Sequence, residues 1–237
     1  MTVNQASCTL TAPCPRLRVV AVVLAAGTAS RMGGRPKSLL LREAQPLLCR
    51  LLSQLAMAGI DETVLVLGHH ADLMQKALQD APPSLSRTQS HAPMPLHVVL
   101  NPQPEAGQNS SLQLGLSAAK NLNPTWLMVA LADQPLIEAD DLKDLMAALK
   151  HAPTGTQMLQ PTVNGQPGNP VMFSDLVMQA ILQTPHSGGK EWRQQHPEQV
   201  LAWPSTNPHY CIDIDTPEDI AKLAKEHGID LTWGQTS

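Results

Sequence analysis

A short apolar run that opens directly onto a loop of small residues constrains this chain most. Val19-Val20-Ala21-Val22-Val23-Leu24 is uncharged and rich in β-branched residues. That is the composition of a strand buried on both faces of a parallel sheet. Ala25, Ala26, Gly27, Thr28, Ala29 and Ser30 follow, then Arg31, Gly33, Gly34, Arg35, Pro36 and Lys37. Glycine lets backbone approach a ligand where a Cβ would clash, and successive N–H groups in such a loop form an anion-binding nest. Arg31 and Lys37 add two positive charges. The pattern is that of a strand delivering a phosphate-binding loop, which suggests a nucleoside triphosphate.

Two better-known phosphate loops do not fit. The dinucleotide fingerprint G-x-G-x-x-G needs tighter spacing than Gly27, Gly33 and Gly34 provide, and Pro36 stands where a P-loop needs glycine before Lys37-Ser38. A buried strand followed by an ordinary surface loop is the plainer alternative. The apolar run is also at the short limit of a signal-peptide core, and a long, mostly uncharged segment precedes Arg16. It is therefore read as part of the fold.

The 237 residues are 43% hydrophobic, enough for a sizeable core. The net charge of −4 comes without a basic run, and there are one Tyr, one Phe and four Trp. These features argue against nucleic acid as the main partner, so a nucleotide must be held by a local positive site. No apolar stretch reaches the length of a membrane span. Cys8, Cys14, Cys49 and Cys211 are scattered without a C-x-x-C pair. That disfavours zinc and makes reduced thiols in the cytoplasm the expectation.

Residues 1–16 are expected to form a flexible extension. Pro46 to Ala58 has helical apolar spacing and is closed by Gly59. Thr63 to Leu67 reads as a second strand, followed by Gly68-His69-His70 and a helix from Ala71 to Leu78. The adjacent histidines diverge and lack a third ligand nearby, so a solvated turn is expected there. Residues 80–95 read as a surface excursion. Leu96 to Leu100 is a third strand, and Asn109 or Ser110 is expected to cap the next helix. Trp126 to Leu131 is a fourth strand that ends in Ala132-Asp133-Gln134-Pro135. Ligands of open α/β sheets collect at the carboxyl edge where Asp133 falls. A carboxylate there suits magnesium, and suits a turn equally well. Further on, Asp140–Lys150 reads as helix, Met158–Val163 and Gly168–Phe173 as strands, Leu176–Leu182 as helix and Val200–Trp203 as a late strand. In Cys-Ile-Asp-Ile-Asp-Thr-Pro-Glu-Asp (Cys211–Asp219), Asp215 reads as a helix cap, with Asp213 on the same face. Thr232–Ser237 read as a frayed end. Strands alternating with helices predict an α/β fold, a doubly wound and mostly parallel sheet.

The segment LAAGTASRMGGRPKSLL resembles the signature loop of the nucleotidyltransferases that build molybdopterin dinucleotides. With Ala25-Ala26-Gly27 where the guanylyl branch carries L-A-G-G, it most resembles the molybdenum cofactor cytidylyltransferases. The spacing from Met32 to Lys37 is that of the guanylyl branch. The D-Q-P turn at Asp133 and D-I-D-T-P-E-D at Asp213 extend the resemblance. It implies a single Rossmann-like nucleotidyltransferase domain over residues 17–230. The implied reaction is transfer of CMP from CTP to molybdopterin, giving the cytosine dinucleotide and pyrophosphate, with Mg2+ or Mn2+. Implied nucleotide-binding residues are Leu24, Ala25, Ala26, Gly27, Arg31, Lys37, Gly68, Gly107, Ser110 and Ser111. Lys37, Arg31 and Asp133 carry catalysis, and Asp133 with Asp213 holds the metal. Gly168, Asn169 and Pro170 face the pterin, Asn169 standing where the family often has histidine. A molybdenum hydroxylase is the implied recipient. The rival readings are a guanylyl, isoprenoid-precursor or sugar-phosphate nucleotidyltransferase, and a pterin-binding chaperone.

Overall fold

Val19–Ala25 (β1) is buried along its whole length, and the other elements are layered around it. The computed structural model describes residues 17–81 and 93–234. The extension expected over residues 1–16 and most of the 80–95 excursion lie outside that range. After β1 and its loop come two short strands, Leu40–Arg42 (β2) and Gln45–Pro46 (β3), then Leu47–Ala58 (α1) and Glu62–Leu67 (β4). Ala71–Asp80 (α2), Leu96–Leu100 (β5), Gln108–Lys120 (α3), Trp126–Leu131 (β6) and Ala139–Lys150 (α4) follow. The chain continues through Met158–Val163 (β7), Gln166–Pro167 (β8), Val171–Ser174 (β9), Asp175–Gln183 (α5) and Gly189–Gln195 (α6). Val200–Ser205 (β10), Pro217–His227 (α7) and Leu231–Trp233 (β11) close it.

The main sheet runs β10-β7-β9-β6-β1-β4-β5, with β8 added on β7. Its ladders are parallel except at β9, which is antiparallel to both β6 and β7, and at the short β8, which is antiparallel to β7. Side-chain alternation along β1 divides the core in two. Val19, Ala21 and Val23 pack with Leu48, Leu51 and Leu55 of α1 and with Leu142 and Leu145 of α4. Val20 and Val22 pack with Leu112 and Leu116 of α3 and with Val177 and Ile181 of α5. Helices thus cover both faces, and the fold is α/β and doubly wound. Gly115 lets α3 press directly on β1, since a Cβ there would stand 2.5 Å from Val22 Cγ1.

Four local expectations are corrected. First, α3 is not capped by Asn109 or Ser110; its N-cap is Gly107, at φ +95°. The Ser110 hydroxyl instead donates to the Gly107 carbonyl (2.8 Å). Second, Thr216 rather than Asp215 caps α7, accepting from the Asp219 N–H. Third, the strand expected from Gly168 begins only at Val171. Fourth, the chain end is not frayed at Thr232: β11 pairs with β2, which pairs with β3, in a second small sheet. The Arg35 guanidinium lies 4.1 Å from the centre of the Trp233 ring. No helix among the described residues is long and apolar enough to cross a membrane.

Candidate active site

Hydrophobic anchoring holds the loop after β1 in shape. Met32 is buried beside Leu40, Leu47, Leu136, Ile214, Leu223 and Leu231, so the small sheet and α7 grip the loop from below. The Ala29 carbonyl accepts from the Met32 N–H (2.9 Å) and the Gly34 N–H (3.1 Å). Gly33 and Gly34 sit at φ +62° and +77°, where glycine carries no Cβ penalty.

A cavity of about 480 Å³ opens beneath this loop, along the carboxyl edge of the sheet. Of the residues expected at the site, Leu24, Ala25, Ala26, Gly27, Lys37, Gly107, Ser111, Asp133 and Asp213 line it. Asp215, Glu105, Gln108 and Met74 line it as well, and were not expected to. Ser110 lies behind the wall, its hydroxyl accepting from Asn101 Nδ2 (3.0 Å), which also donates to Ser111 Oγ (2.9 Å). Gly68 is also outside the lining. It is a contact point of three segments: an added Cβ would stand 2.8 Å from Ala26 Cβ, Ala26 O and Pro104 Cβ.

Lys37 is the centre of the charged end. Its Nζ lies 2.7 Å from Asp133 Oδ2 and 2.6 Å from Asp215 Oδ1, with the side chain only 19% exposed. Burial works against the Lys37 ammonium, but the charge and hydrogen bond of Asp133, joined by Asp215, hold it above the ordinary lysine range. Asp215 thus belongs to the site rather than to a helix cap. The motif could have shown this, because Thr216 satisfies the capping pattern without it. Arg31 is 71% exposed and reaches Asp215 at 3.5 Å, outside the cavity lining. The Ile214 N–H donates to the Asp133 carbonyl (3.1 Å), which ties the segment of Asp213 and Asp215 to the end of β6.

The fold family implies a divalent cation, and the donor set fits one. Asp133 Oδ1 is buried without a hydrogen-bond partner among the described residues. Burial, then the charges of Asp133 and Asp215, push the Asp213 carboxyl up. Three carboxylates thus crowd around Lys37, and hard oxygen donors of this kind suit Mg2+ or Mn2+. Among the described residues no three His, Cys, Asp or Glu side chains already converge as a metal cage.

Gly168, Asn169 and Pro170 lie outside the cavity lining. Because β9 runs antiparallel with Val171 opposite Val129, the three nevertheless fall beside the carboxyl end of β6. Gln134 holds them there: its Nε2 donates to the Asn169 carbonyl (3.3 Å) and the Tyr210 carbonyl (3.1 Å). The Asn169 N–H also donates to Tyr210 O (2.8 Å). A Cβ on Gly168 would stand 2.6 Å from that same oxygen. The glutamine of the D-Q-P turn is therefore a clamp between two segments, a role its sequence did not reveal.

A doubly wound sheet that presents a lysine and aspartates beneath a small-residue loop defines the architecture of a nucleotidyltransferase. The chain belongs to the MobA-like NTP transferase domain family, whose model matches residues 21–200. A molybdenum cofactor guanylyltransferase of Shewanella frigidimarina is 24% identical over 211 residues, covering 88% of this chain and 97% of that protein. A shorter match to CMP-5'-(3-aminopropyl)phosphonate synthase of Streptomyces rubellomurinus is 40% identical over 95 residues. That match spans 38% of this chain and only 14% of the relative. Among solved structures, Rv0371C of Mycobacterium tuberculosis, in complex with manganese, superposes with a TM-score of 0.62 at 22% identity. It covers 88% of this chain and 99% of that one. The protein is thus a nucleotidyltransferase of the MobA-like type.

Proposed function

We propose that this enzyme transfers CMP from CTP to molybdopterin, releasing pyrophosphate. The observation that carries the proposal is Lys37, held between Asp133 and Asp215 at the mouth of a cavity roofed by the loop after β1. The pterin phosphate attacks the α-phosphorus of CTP in line, and pyrophosphate leaves. Catalysis of such a transfer rests on positioning and on charge stabilisation. Lys37 exchanges an aspartate for an α-phosphate oxygen and offsets the charge that builds there. Arg31, exposed at the rim, reaches the β and γ phosphates. Gly168, Asn169 and Pro170 meet the pterin from the far side of Asp133. The attacking phosphate is already deprotonated, so no general base is required. Mg2+ or Mn2+, held by Asp133 and Asp213 with Asp215 beside them, supplies further neutralisation of the phosphates when bound.

Ala26 supports the choice of cytosine. It is one of the residues that line the cavity, and the glycine of an L-A-G-G loop would take up less space at that position, so alanine suits the smaller pyrimidine base. A second reading, guanylyl transfer, is favoured by the Shewanella relative, matched over 97% of its length, and by the spacing from Met32 to Lys37. The test is pyrophosphate release with molybdopterin, Mg2+ and either CTP or GTP. Release with CTP supports the proposal, and release with GTP alone replaces it with the second reading. Binding of pterin without release from either nucleotide points to a chaperone that delivers the cofactor to a cytoplasmic molybdenum hydroxylase.

A further inference from the structure

We propose that Glu105 reads the nucleobase: its carboxylate accepts a hydrogen bond from the exocyclic amino group of cytosine and rejects a pyrimidine bearing an oxo group there. The inference rests on the reading of the cavity as a nucleoside triphosphate site. Its first support is the order of the strands. Along the carboxyl edge, β6, β1, β4 and β5 follow one another. Asp133 stands beyond β6, the small-residue loop beyond β1, and the turn with Pro104 and Glu105 beyond β5. From β6 to β5 is three strand spacings, about 14 Å. That is the scale of a nucleotide laid from its α-phosphate to its base.

Charge sets the direction. Lys37 and the aspartates occupy the β6 end, so the reacting phosphorus belongs there. Glu105 stands at the other end, exposed, with no side-chain hydrogen bond or ion pair among the described residues. A free carboxylate repels phosphate and can only accept hydrogen bonds, so at this end it calls for a donor on the ligand, such as an amino group. Beside it lie Gln108 and the first turn of α3, whose cap, Gly107, has no side chain with which to satisfy the amides. The β5 end thus presents one acceptor next to several donors. Cytosine presents the complement: an amino donor at C4 beside acceptors at N3 and O2. Uracil replaces the amino donor with a carbonyl acceptor and puts a donor at N3. A site built to pair with a polar group discriminates strongly against the analogue that lacks it.

Binding of CTP and of UTP, each with Mg2+, measured by titration calorimetry, tests the inference on wild type, Glu105→Gln and Glu105→Ala. Wild type is expected to favour CTP by about tenfold or more. Glu105→Gln, whose amide donates to a C4 oxygen, is expected to bring the two within about threefold by weakening CTP and strengthening UTP. Glu105→Ala is expected to weaken CTP without the gain for UTP. A wild type that does not distinguish CTP from UTP, or a CTP:UTP ratio unchanged in Glu105→Gln, overturns the inference and leaves the site assignment standing. Wild type that binds no nucleotide at all overturns the site assignment itself, a result visible before any variant is made.

Discussion

The two ends of the cavity are built on opposite plans. At the β6 end both cations are engaged with carboxylates: Lys37 with Asp133 and Asp215, and Arg31 with Asp215. At the β5 end Glu105 and Gln108 stand without partners of their own among the described residues. Groups that hold one another in place before a ligand arrives cost little reorganisation during a reaction. Groups left unpaired gain only when a ligand supplies the partner, which is the condition for choosing between ligands. The first end is suited to chemistry and the second to selection, and substitutions at the two ends are expected to move different observables.

The largest effect is expected at Asp133. Asp133→Ala removes a partner of Lys37, the orphaned oxygen Oδ1 and the anchor of the crowded carboxylates together. Pyrophosphate release is expected to fall about 1000-fold or more, with nucleotide preference unchanged among whatever activity survives. Near-normal turnover in this variant would break the division of roles outright.

Gly68 sharpens it from the wall between the ends. A Cβ there meets Ala26 and Pro104 at 2.8 Å, and two of the three contacts are with side-chain carbon. Gly68→Ala must push the turn of Glu105 away from the loop after β1. The expected result is a loss of ~1–3 kcal/mol of stability and a rise in the KM for nucleotide of roughly tenfold, with kcat much less affected. A fall in kcat with KM unchanged would place the strain at the charged end instead.

Trp233 lies beyond both ends, in the small sheet beneath the loop. Trp233→Ala removes the ring that faces the Arg35 guanidinium at 4.1 Å. About 1 kcal/mol is expected, or ~2–4 °C in melting temperature. Turnover should change by less than about threefold if Met32, rather than Arg35, is what fixes the loop.

How much of this was legible in the sequence follows from the same division. The apolar runs of β1, β4 and β6 declare themselves because buried parallel strands are continuous and hydrophobic. Asp133 was legible because it follows such a strand almost directly, and Lys37 because it is a cation at the end of the small-residue loop that β1 delivers. Asp215 was misread, since D-T-P-E carries a capping pattern that two residues can satisfy, and only the contact with Lys37 separates them. Glu105 was missed because it lies in a proline-rich turn that has no periodicity to read. Gln134 was legible as part of a motif but not as a clamp, since its partners Asn169 and Tyr210 lie far along the chain. The strand β11 was invisible because three residues near a chain end carry no pattern, and its pairing with β2 is wholly tertiary.

The smallest expected effect has the opposite sign from the rest. Burial, then Asp133 and Asp215, raise the Asp213 carboxyl above its ordinary 3.8, against the pull of its own backbone hydrogen bond and of Lys37. A carboxyl raised in this way binds its proton more tightly in the folded chain than in the unfolded one. Its contribution to stability is therefore greatest below pH 3.8 and is lost as pH rises through the raised value. At pH 7 the ionised group opposes folding. Asp213→Asn is expected to melt higher than wild type at pH 7 in EDTA. The carboxyl is only partly withdrawn from water, although the residue as a whole is exposed, and solvent screens its charge, so the gain is only about 1–2 °C, and it should vanish as pH falls toward 4. With millimolar Mg2+ the order is expected to reverse, because wild type gains from the cation what the asparagine can no longer supply. A variant that melts below wild type in EDTA would show that Asp213 is not repelled by its neighbours. One that gains as much as wild type from Mg2+ would remove Asp213 from the metal site and leave Asp133 and Asp215 to hold it.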